Sequence, residues 1–491
     1  MNKSIIRYIL GWVLVLEGIL LLLPCLVALI YREQCGWYFV LVAVCSFFAG
    51  LLVKGKKPER TMFYMKEGCI ATALSWIEIS VVGCLPFCIS GEIPSFVDAL
   101  FEMVSGFTTT GASILTDVEA LSYCMLFWRS FSHWLGGMGV LVFLLAVIRM
   151  TGGSHMNLMR AESTGPSVGK LVPKVRHSAR TLYYIYTGMT IIMIILLLAG
   201  RMPVFDALTT AFGTAGTGGF GIKADSMASY SPYLQWVVAI FMILFGVNFN
   251  AFYFILLRKW RQAFRMEEVR GYFLIVGASI AIITANIYNT AATFEHNLRD
   301  AAFQVASIIS TTGFATVDFN LWPQTSRLIL VLLMLCGACA GSTAGGLKVS
   351  RVILLLKSMV KELGSYLHPK SVKKIKMDGK PVEHEVLRGV NVFLVSYVLI
   401  FAVSVFCLSF ENYDMVTNFT AVAATFNNIG PGLNLVGPAA NFALFTDFNK
   451  LVLTFDMLAG RLELFPMLLL LYPPTWKGFF KQGKKRRRKL D

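Results

Sequence analysis

The sequence has 491 residues, of which 56% are hydrophobic and only 15% are charged. Soluble domains carry about 25% charged residues, so this composition excludes an ordinary soluble protein and predicts a membrane protein. The net charge of +16 could indicate a nucleic-acid partner. We predict no such partner, because most of the basic residues crowd into alternate loops between apolar segments.

Ten apolar segments are long enough to cross a membrane as helices, since about 20 residues span a hydrocarbon core of roughly 30 Å. They are residues 8–30, 36–54, 68–90, 124–149, 180–200, 233–257, 271–293, 326–349, 386–409 and 444–471. The first segment follows Lys3 and Arg7 as a secretory signal would. Its apolar run is too long and no small-residue cleavage site follows, so we interpret it as a retained helix. The predicted fold class is an all-α polytopic membrane protein.

A polar phrase recurs four times between these segments. Each copy begins at a helix-capping residue and reaches a glycine 13 positions later, as in Asp98–Gly111, Asp206–Gly219, Asp300–Gly313 and Thr417–Gly430. Four copies in phase indicate internal duplication. The first 12 residues of a copy would form a helix about 18 Å long, which is too short to span the membrane. We therefore expect a re-entrant pore helix followed by a polar turn.

The duplication defines the predicted domains. Residues 1–60 form an accessory two-helix domain, and pore repeats follow at 61–152, 153–264, 265–369 and 370–491, the last with a basic cytoplasmic tail. Polar turns at membrane depth are tolerated where they are buried or face water, so four of them predict one central pore. The predicted N-caps of the pore helices are Asp98, Asp206, Asp300 and, departing from the others, Thr417. Each helix would then direct its negative dipole end at the pore centre.

Charge predicts the orientation. Basic residues crowd into the loops between repeats and into the tail KKRRRK that begins at Lys484, whereas the loops with polar phrases hold few. The positive-inside rule then makes both termini cytoplasmic and the four phrases external. For the tail we favour attraction to anionic membrane lipid over a specific docking site.

The four turns have the chemistry of a cation filter. Backbone carbonyls replace the hydration oxygens of a cation without adding a fixed charge, and glycine tolerates the positive φ that this needs. The expected lining is Thr109, Thr110 and Gly111; Thr217, Gly218 and Gly219; Thr311, Thr312 and Gly313; and Asn428, Ile429 and Gly430. None of these positions carries an acid, which argues against a divalent-cation filter built on carboxylates.

Two further features lie on the inner half of the predicted pore. Residues 336–348, CGACAGSTAGGLK, are too rich in glycine and small residues for a straight helix, and they miss the phosphate-loop spacing by one residue. Either close helix packing or a flexible constriction below the filter explains them. Arg461, in the middle of the last span, either forms a structural ion pair with Glu463 or Asp456 or faces the pore as an electrostatic barrier.

Other polar and reactive side chains carry no predicted site. The ten cysteines lie mostly in apolar spans, where they behave as small hydrophobes. Cys336 and Cys339 form a CxxC that lacks a second pair or a nearby histidine for zinc. GGMG at 136–139, beside Arg129 and His133, is interpreted as packing, and the acids Glu17 and Glu78 receive no role.

At these residues the chain resembles the Trk/Ktr/HKT superfamily of potassium transporters, and within it the membrane subunit of bacterial Trk systems. The resemblance covers essentially the whole chain. It rests on the turns SGFTTTGAS, TGGFG, STTGFAT and NNIGPGL, and on WLGGMGV, AGSTAGGLK and GRLELF. Two extra N-terminal spans favour the Trk branch over the shorter Ktr branch.

The resemblance implies a potassium pore of four pseudo-symmetric repeats in the bacterial cytoplasmic membrane, with potassium as the substrate. It implies a gating loop at 336–348 close to Arg461, which makes Gly341, Gly345, Gly346 and Lys348 candidate gating residues. It also implies a homodimer and a cytoplasmic regulatory subunit that binds NAD or ATP, while this chain binds no nucleotide. A serine at the position of Gly111 accompanies sodium transport in some plant relatives.

Potassium uptake driven by the membrane potential is therefore the leading hypothesis. A sodium-preferring or poorly selective pore of the same fold is the close alternative, because selectivity depends on carbonyl geometry. Coupling to protons or sodium, as in a symporter, is left open. An alternating-access carrier would predict inverted repeats, whereas all four repeats here run the same way, and no nucleophile, base or metal set indicates an enzyme.

Overall fold

A computed structural model of the chain describes residues 2–56, 58, 64–139, 175–288, 293–369 and 374–476. Within these ranges the protein consists of helices and a two-stranded hairpin, which confirms the all-α membrane class. Six of the described helices, or seven if one bent pair counts as a single span, are long and apolar enough to cross a membrane. Several predicted domain boundaries and the basic tail lie outside the described residues, so the boundaries stay predictions.

The helices are numbered here in chain order. They are α1 (Lys3–Leu20), α2 (Leu22–Tyr31), α3 (Gly36–Lys54), α4 (Met65–Ser90), α5 (Phe96–Phe107), α6 (Tyr123–Gly137), α7 (Val175–Ala199), α8 (Val204–Gly216), α9 (Pro232–Phe245), α10 (Phe249–Leu256), α11 (Trp260–Arg265), α12 (Glu267–Ile287), α13 (Phe294–Ile309), α14 (Gln324–Cys336), α15 (Val349–Leu367), α16 (His384–Leu408), α17 (Met415–Phe426), α18 (Asp447–Arg461) and α19 (Phe465–Leu471). Strands β1 (Lys376–Met377) and β2 (Lys380–Pro381) pair antiparallel, with Lys376 opposite Pro381. Asp378 and Gly379 both have positive φ in the two-residue turn between them.

Helices α1 to α3 form the accessory hairpin, which packs on α4. Glycines let α1 and α3 approach closely: a Cβ added to Gly11 would lie 2.4 Å from the backbone nitrogen of Lys54, and one added to Gly50 would lie 2.7 Å from that of Val15. Small residues at such contacts are typical of membrane helices, which lack a hydrophobic drive to associate in lipid.

Four copies of one arrangement follow, each with a long first helix, a short pore helix, a turn and a second helix. The first helices are α4, α7, α12 and α16, the pore helices are α5, α8, α13 and α17, and the second helices are α6, α9, α14 and α18. Each second helix packs on the pore helix of the next repeat, as α6 on α8, α9 on α13, α14 on α17, and α18 on α5. Because the last contact joins the fourth repeat to the first, the predicted four pseudo-symmetric repeats surround one axis.

All four second helices are short, at 15, 14, 13 and 15 residues. Helix α10 leaves α9 at an angle of 94°, an irregular loop follows α14, and Glu463 and Leu464 after α18 both have positive φ. The spans predicted at 233–257 and 444–471 are therefore not single straight helices, because hydropathy stays high across a backbone break. In the span at 326–349 the helix ends at Cys336, where the glycine-rich sequence predicts that a straight helix cannot continue. The span predicted at 124–149 lies outside the described residues beyond Gly139.

The four predicted N-caps are also wrong, because the pore helices begin earlier. The observed caps are Ser95, Pro203, Thr293 and Asp414. Asp98, Asp206 and Thr417 lie in the first turn of their helices, and Asp300 lies well inside α13. An acid is favoured anywhere in the first turn by the helix dipole, so its presence does not identify the cap itself.

The fourth repeat, whose capping residue differed in sequence, has a firm cap in Asp414. Its carboxylate accepts hydrogen bonds from the Thr417 amide at 3.0 Å and the Asn434 side chain at 2.9 Å. Desolvation alone would raise the pKa of Asp414, but hydrogen bonds from the Thr417 hydroxyl, the Thr417 amide and the Asn434 side chain lower it below its ordinary value. The cap is therefore ionised at the positive end of the helix dipole.

Candidate functional site

Each pore helix ends in the same backbone motif. The amide just before the repeated glycine donates to the carbonyl five residues earlier, at 2.8 or 2.9 Å, in the pairs Thr110 to Ser105, Gly218 to Gly213, Thr312 to Ser307, and Ile429 to Ala424. This is the longer of the two bonds that close a helix C-terminus around a left-handed residue. That residue has φ of 57°, 57°, 56° and 55° at Thr109, Thr217, Thr311 and Asn428. The four turns therefore share one backbone conformation although their sequences differ.

The turns meet in a closed ring. A Cβ added to the glycine of one turn would collide with the carbonyl oxygen of the middle residue of the next, as Gly111 with Gly218 at 1.9 Å, Gly219 with Thr312 at 1.9 Å, Gly313 with Ile429 at 2.1 Å, and Gly430 with Thr110 at 2.8 Å. These glycines have φ of 79°, 74°, 91° and 100°. Only glycine meets both demands, the positive φ and the missing side chain. The twelve residues predicted to line a filter are thus brought together.

Several side chains of the turns are buried, and hydrogen bonds to other parts of the protein hold them in place. Those of Thr110, Thr311 and Asn428 are fully buried. The Asn428 side chain donates to the Thr110 hydroxyl at 2.9 Å and to the Met457 carbonyl at 2.9 Å. Asn428 therefore joins the fourth turn to the first. This contact gives a structural role to an asparagine that stands where the other three repeats have threonine.

A cavity of about 200 Å³ lies over the ring, lined by residues of all four repeats, including the four glycines. Its described lining contains Arg129 and Lys223 and no Asp or Glu. The described lining of this cavity therefore offers no carboxylate to a cation.

A buried ion pair that the sequence analysis missed supports the first turn. Arg129 of α6 lies 2.7 Å from Glu102 of α5, and both side chains are almost fully buried. Glu102 also accepts hydrogen bonds from the hydroxyl of Ser113 and the amide of Ile114, each at 3.0 Å. The available signal was an acid within the first predicted pore helix and a base within the apolar segment that follows it.

His133, which the sequence analysis treated as packing, links two repeats. Its Nδ1 lies 2.7 Å from the Gly106 carbonyl, and its Nε2 accepts from the Phe220 amide at 3.2 Å. These partners assign the neutral tautomer with the proton on Nδ1. The side chain thereby joins the end of the first pore helix to the second turn.

The loop from Gly337 to Lys348 lies against the third and fourth turns. The Gly345 amide donates to the Thr311 hydroxyl at 2.7 Å, and a Cβ on Gly345 would lie 2.2 Å from the Asn427 carbonyl oxygen. Positive φ occurs at Gly337, Gly341, Gly346 and Lys348. The candidate gating residues therefore belong to one irregular segment in contact with the ring.

Glu268, at the start of α12, anchors this loop and was also missed. One carboxylate oxygen accepts from the amides of Ala340 at 2.6 Å and Ser350 at 3.2 Å, and the other accepts from the Asn248 side chain at 3.1 Å. Within the loop, the buried Lys348 ammonium donates to the Ala344 carbonyl. The loop is thus held at both ends and to the break between α9 and α10.

Arg461 joins three repeats. Its guanidinium donates to the Thr343 carbonyl of the loop at 2.6 Å, and to the Gly136 and Gly137 carbonyls at the end of α6 at 2.5 and 2.7 Å. Of the two acids considered as partners, Glu463 forms an ion pair with Arg351 and Asp456 accepts from the Ser404 hydroxyl at 2.7 Å. A buried cation therefore lies against the loop, as the family resemblance implied.

Comparison with known proteins agrees with this architecture. Residues 38–473 match the TrkH family, which is described as a cation transport protein. The chain belongs to the TrkH family. This TrkH-family chain is 36% identical over 492 residues to the Trk system potassium uptake protein TrkH of Salmonella typhimurium, covering 97% of the chain and 100% of the relative. It is 32% identical over 493 residues to the Trk system potassium uptake protein TrkG of Escherichia coli, covering 98% and 99%.

A solved structure shows the same fold. The crystal structure of the potassium transporter TrkH from Vibrio parahaemolyticus superposes with a TM-score of 0.87 at 31% sequence identity, covering 97% of this chain and 100% of that one. The family predicted from the turn motifs is therefore confirmed for this chain.

Proposed function

We propose that this protein takes up potassium across the cytoplasmic membrane of a bacterium through the ring of four turns. The observation that carries the proposal is the ring itself, in which four glycines lie against carbonyl oxygens of the neighbouring turns. Carbonyl dipoles can hold a dehydrated monovalent ion and still release it. The relatives named as potassium uptake proteins favour potassium over sodium as the ion.

The twelve turn residues form the proposed filter, with the cavity as its external mouth and both termini in the cytoplasm. The pore helices end at the turns, so the negative ends of their dipoles favour a cation there. Charge distribution along the sequence supports the orientation, because basic stretches alternate with the polar turns between the apolar segments.

We propose further that the loop at 336–348 and Arg461 form the gate. The loop contacts two turns through Gly345, and the Arg461 guanidinium places a positive charge beside it. A cation leaving the ring would have to pass both. Movement of the loop would open the path, and its glycines supply the backbone freedom.

The proposed assembly is a homodimer with a cytoplasmic regulatory subunit that binds NAD or ATP. The family resemblance supports both partners, and the names of the relatives refer to a Trk system. In this proposal the nucleotide acts on the regulatory subunit and this chain binds none.

Growth rescue tests the proposal. The full chain is expressed, with and without a regulatory subunit, in bacteria that lack their own potassium uptake systems. We expect growth at limiting potassium and rubidium uptake that excess sodium does not suppress. Absence of growth in both settings, with the protein present in the membrane fraction, would contradict potassium uptake, and suppression by sodium would favour the sodium-preferring pore.

A further inference from the structure

The tip of the accessory hairpin, residues 32–35, docks on the start of α6. The Tyr31 and Tyr123 rings stack with their centroids 4.1 Å apart and their planes at 8°. One oxygen of Glu33 accepts from the Tyr123 amide at 2.7 Å and the other from the Cys124 amide at 3.0 Å. Glu33 thereby caps α6, because it pairs with amides that have no partner within the helix.

Two cysteines meet in this contact. The Sγ of Cys35 lies 2.7 Å from the Sγ of Cys124. A disulfide bond is about 2.05 Å long, so a small movement of either side chain would bring the sulfurs to bonding distance. We propose that Cys35 and Cys124 form a disulfide that fastens the accessory hairpin to the first pore repeat.

A metal site is the competing interpretation, because Glu33, Cys35 and Cys124 place ligand atoms within 4.8 Å of one another. Two thiolates on one tetrahedral zinc lie about 3.8 Å apart, given Zn–S bonds of about 2.3 Å. The observed sulfur separation is far shorter than that. Both carboxylate oxygens of Glu33 are also occupied by amides of α6, so the geometry favours the disulfide.

The proposed orientation provides the chemistry. The pair lies at the end of α6 that follows the first turn, on the face that the charge pattern makes external, and disulfides persist outside the cytoplasm. Cys35 is half-buried and Cys124 is buried, so Cys35 is the sulfur accessible to an oxidant.

The oxidant is a disulfide-bearing carrier protein of that compartment. The Cys35 thiolate attacks the carrier disulfide and forms a mixed disulfide, releasing one carrier thiolate. The Cys124 thiol gives its proton to that thiolate or to water, attacks the Cys35 sulfur and releases the second carrier sulfur. Two protein thiols are oxidised and one carrier disulfide is reduced to two thiols.

The bond would close a loop of 89 residues that contains α3, α4, the first pore helix and the first turn. A crosslink of this kind stabilises by restricting the unfolded chain. The disulfide would therefore hold the first quarter of the ring to a part of the molecule outside the pore.

Thiol counting tests the inference. The full chain is treated with a membrane-permeant alkylating agent in intact cells, purified, denatured, and reacted with a maleimide polymer with or without prior reduction. In a parallel sample that omits the first alkylation, the ten cysteines should give eight adducts without reductant and ten with it. Cys35→Ser should give nine adducts in both conditions. Cys45→Ser, which removes an exposed cysteine of α3, is the matched control and should give seven and nine.

Ten adducts from unreduced wild-type protein would overturn the proposal, and zinc recovered with that protein would assign the pair to a metal instead. In the cells alkylated first, reduction should expose two new thiols in the wild type and none in Cys35→Ser. If the reduced wild type shows no new thiols, the pair is not oxidised in the cell and the proposal is equally refuted.

Discussion

Four glycines set how closely the turns approach one another. Each has two reasons to be glycine, a positive φ and a carbonyl oxygen where a Cβ would stand. The two reasons can be separated in this chain. Gly91 has φ of 82° with nothing within 4 Å of an added Cβ, whereas Gly111 has φ of 79° and a carbonyl oxygen at 1.9 Å.

Gly111→Ser should reduce the ratio of potassium to sodium flux by about tenfold or more, the factor that corresponds to about 1.4 kcal/mol between the two ions. The new side chain must displace the Gly218 carbonyl, so the ring can no longer match one ion. Gly91→Ser carries a similar backbone strain without the collision and should keep the wild-type ratio. Ion fluxes in membrane vesicles measure both. An unchanged ratio in Gly111→Ser would remove this turn from the filter.

Arg461→Ala should raise the basal uptake rate several-fold in the absence of a regulatory subunit. The substitution removes a buried positive charge and the donor to three carbonyls, which lowers the barrier to a cation and loosens the loop. Arg461→Lys retains the charge but not the fork of donors, so it should lie between the two. Initial rubidium uptake rates give the comparison, and a wild-type rate in Arg461→Ala would leave the residue with a structural role.

The turn residues could be predicted because their pattern is local and occurs four times. The supporting residues could not. Glu268 lies 72 positions from the Ala340 amide that it binds, and Glu102 lies 27 positions from Arg129. The sequence separation of such partners follows no recurring pattern. They meet only because α12 packs on the loop and α5 packs on α6.

The four repeats differ most in the segments that follow their second helices. The sequence predicts the break after α14, because glycines interrupt the helix there. It does not predict the breaks after α9 and α18, because the residues that follow those helices are largely apolar. Of these segments, the loop after α14 donates to a turn hydroxyl through Gly345 and is anchored by Glu268. The loop also accepts hydrogen bonds from the Phe249 amide of the second repeat and from Arg461 of the fourth, so it is held by contacts with three repeats.

Gly345→Ala should raise the basal uptake rate by a few-fold. Its Cβ would lie 2.2 Å from the Asn427 carbonyl oxygen, so the loop must withdraw from the turns and lose its bond to Thr311. Gly364→Ala, in α15 with nothing within 4 Å, should leave uptake unchanged and stabilise the helix by less than about 1 kcal/mol. If both variants transport at the wild-type rate, the loop does not control the pore.

Closure of the ring distinguishes four repeats around an axis from four repeats in a row. The sequence predicts the copies and a common pore, but the contact that joins the last repeat to the first depends on residues far apart in the chain. Helix α18 packs on α5, and the Lys450 ammonium lies 2.5 Å from the Asp98 carboxylate, with both side chains largely buried. This ion pair spans the closing interface.

Lys450→Met should lower the free energy of unfolding by about 1 to 2 kcal/mol, since it leaves Asp98 without its partner in a partly buried site. Adding Asp98→Asn should recover part of the loss, because the uncompensated charge disappears. The effect of the double variant minus the effects of the two single variants gives the coupling energy across the interface. Lys361→Met makes the same change at an exposed position of α15 and should be nearly neutral. Thermal unfolding in detergent compares the wild type with Lys450→Met, Asp98→Asn, the double variant and Lys361→Met. If Lys450→Met and Lys361→Met melt together, the ion pair contributes nothing to closure, and the ring is held by the packing of α18 on α5 alone.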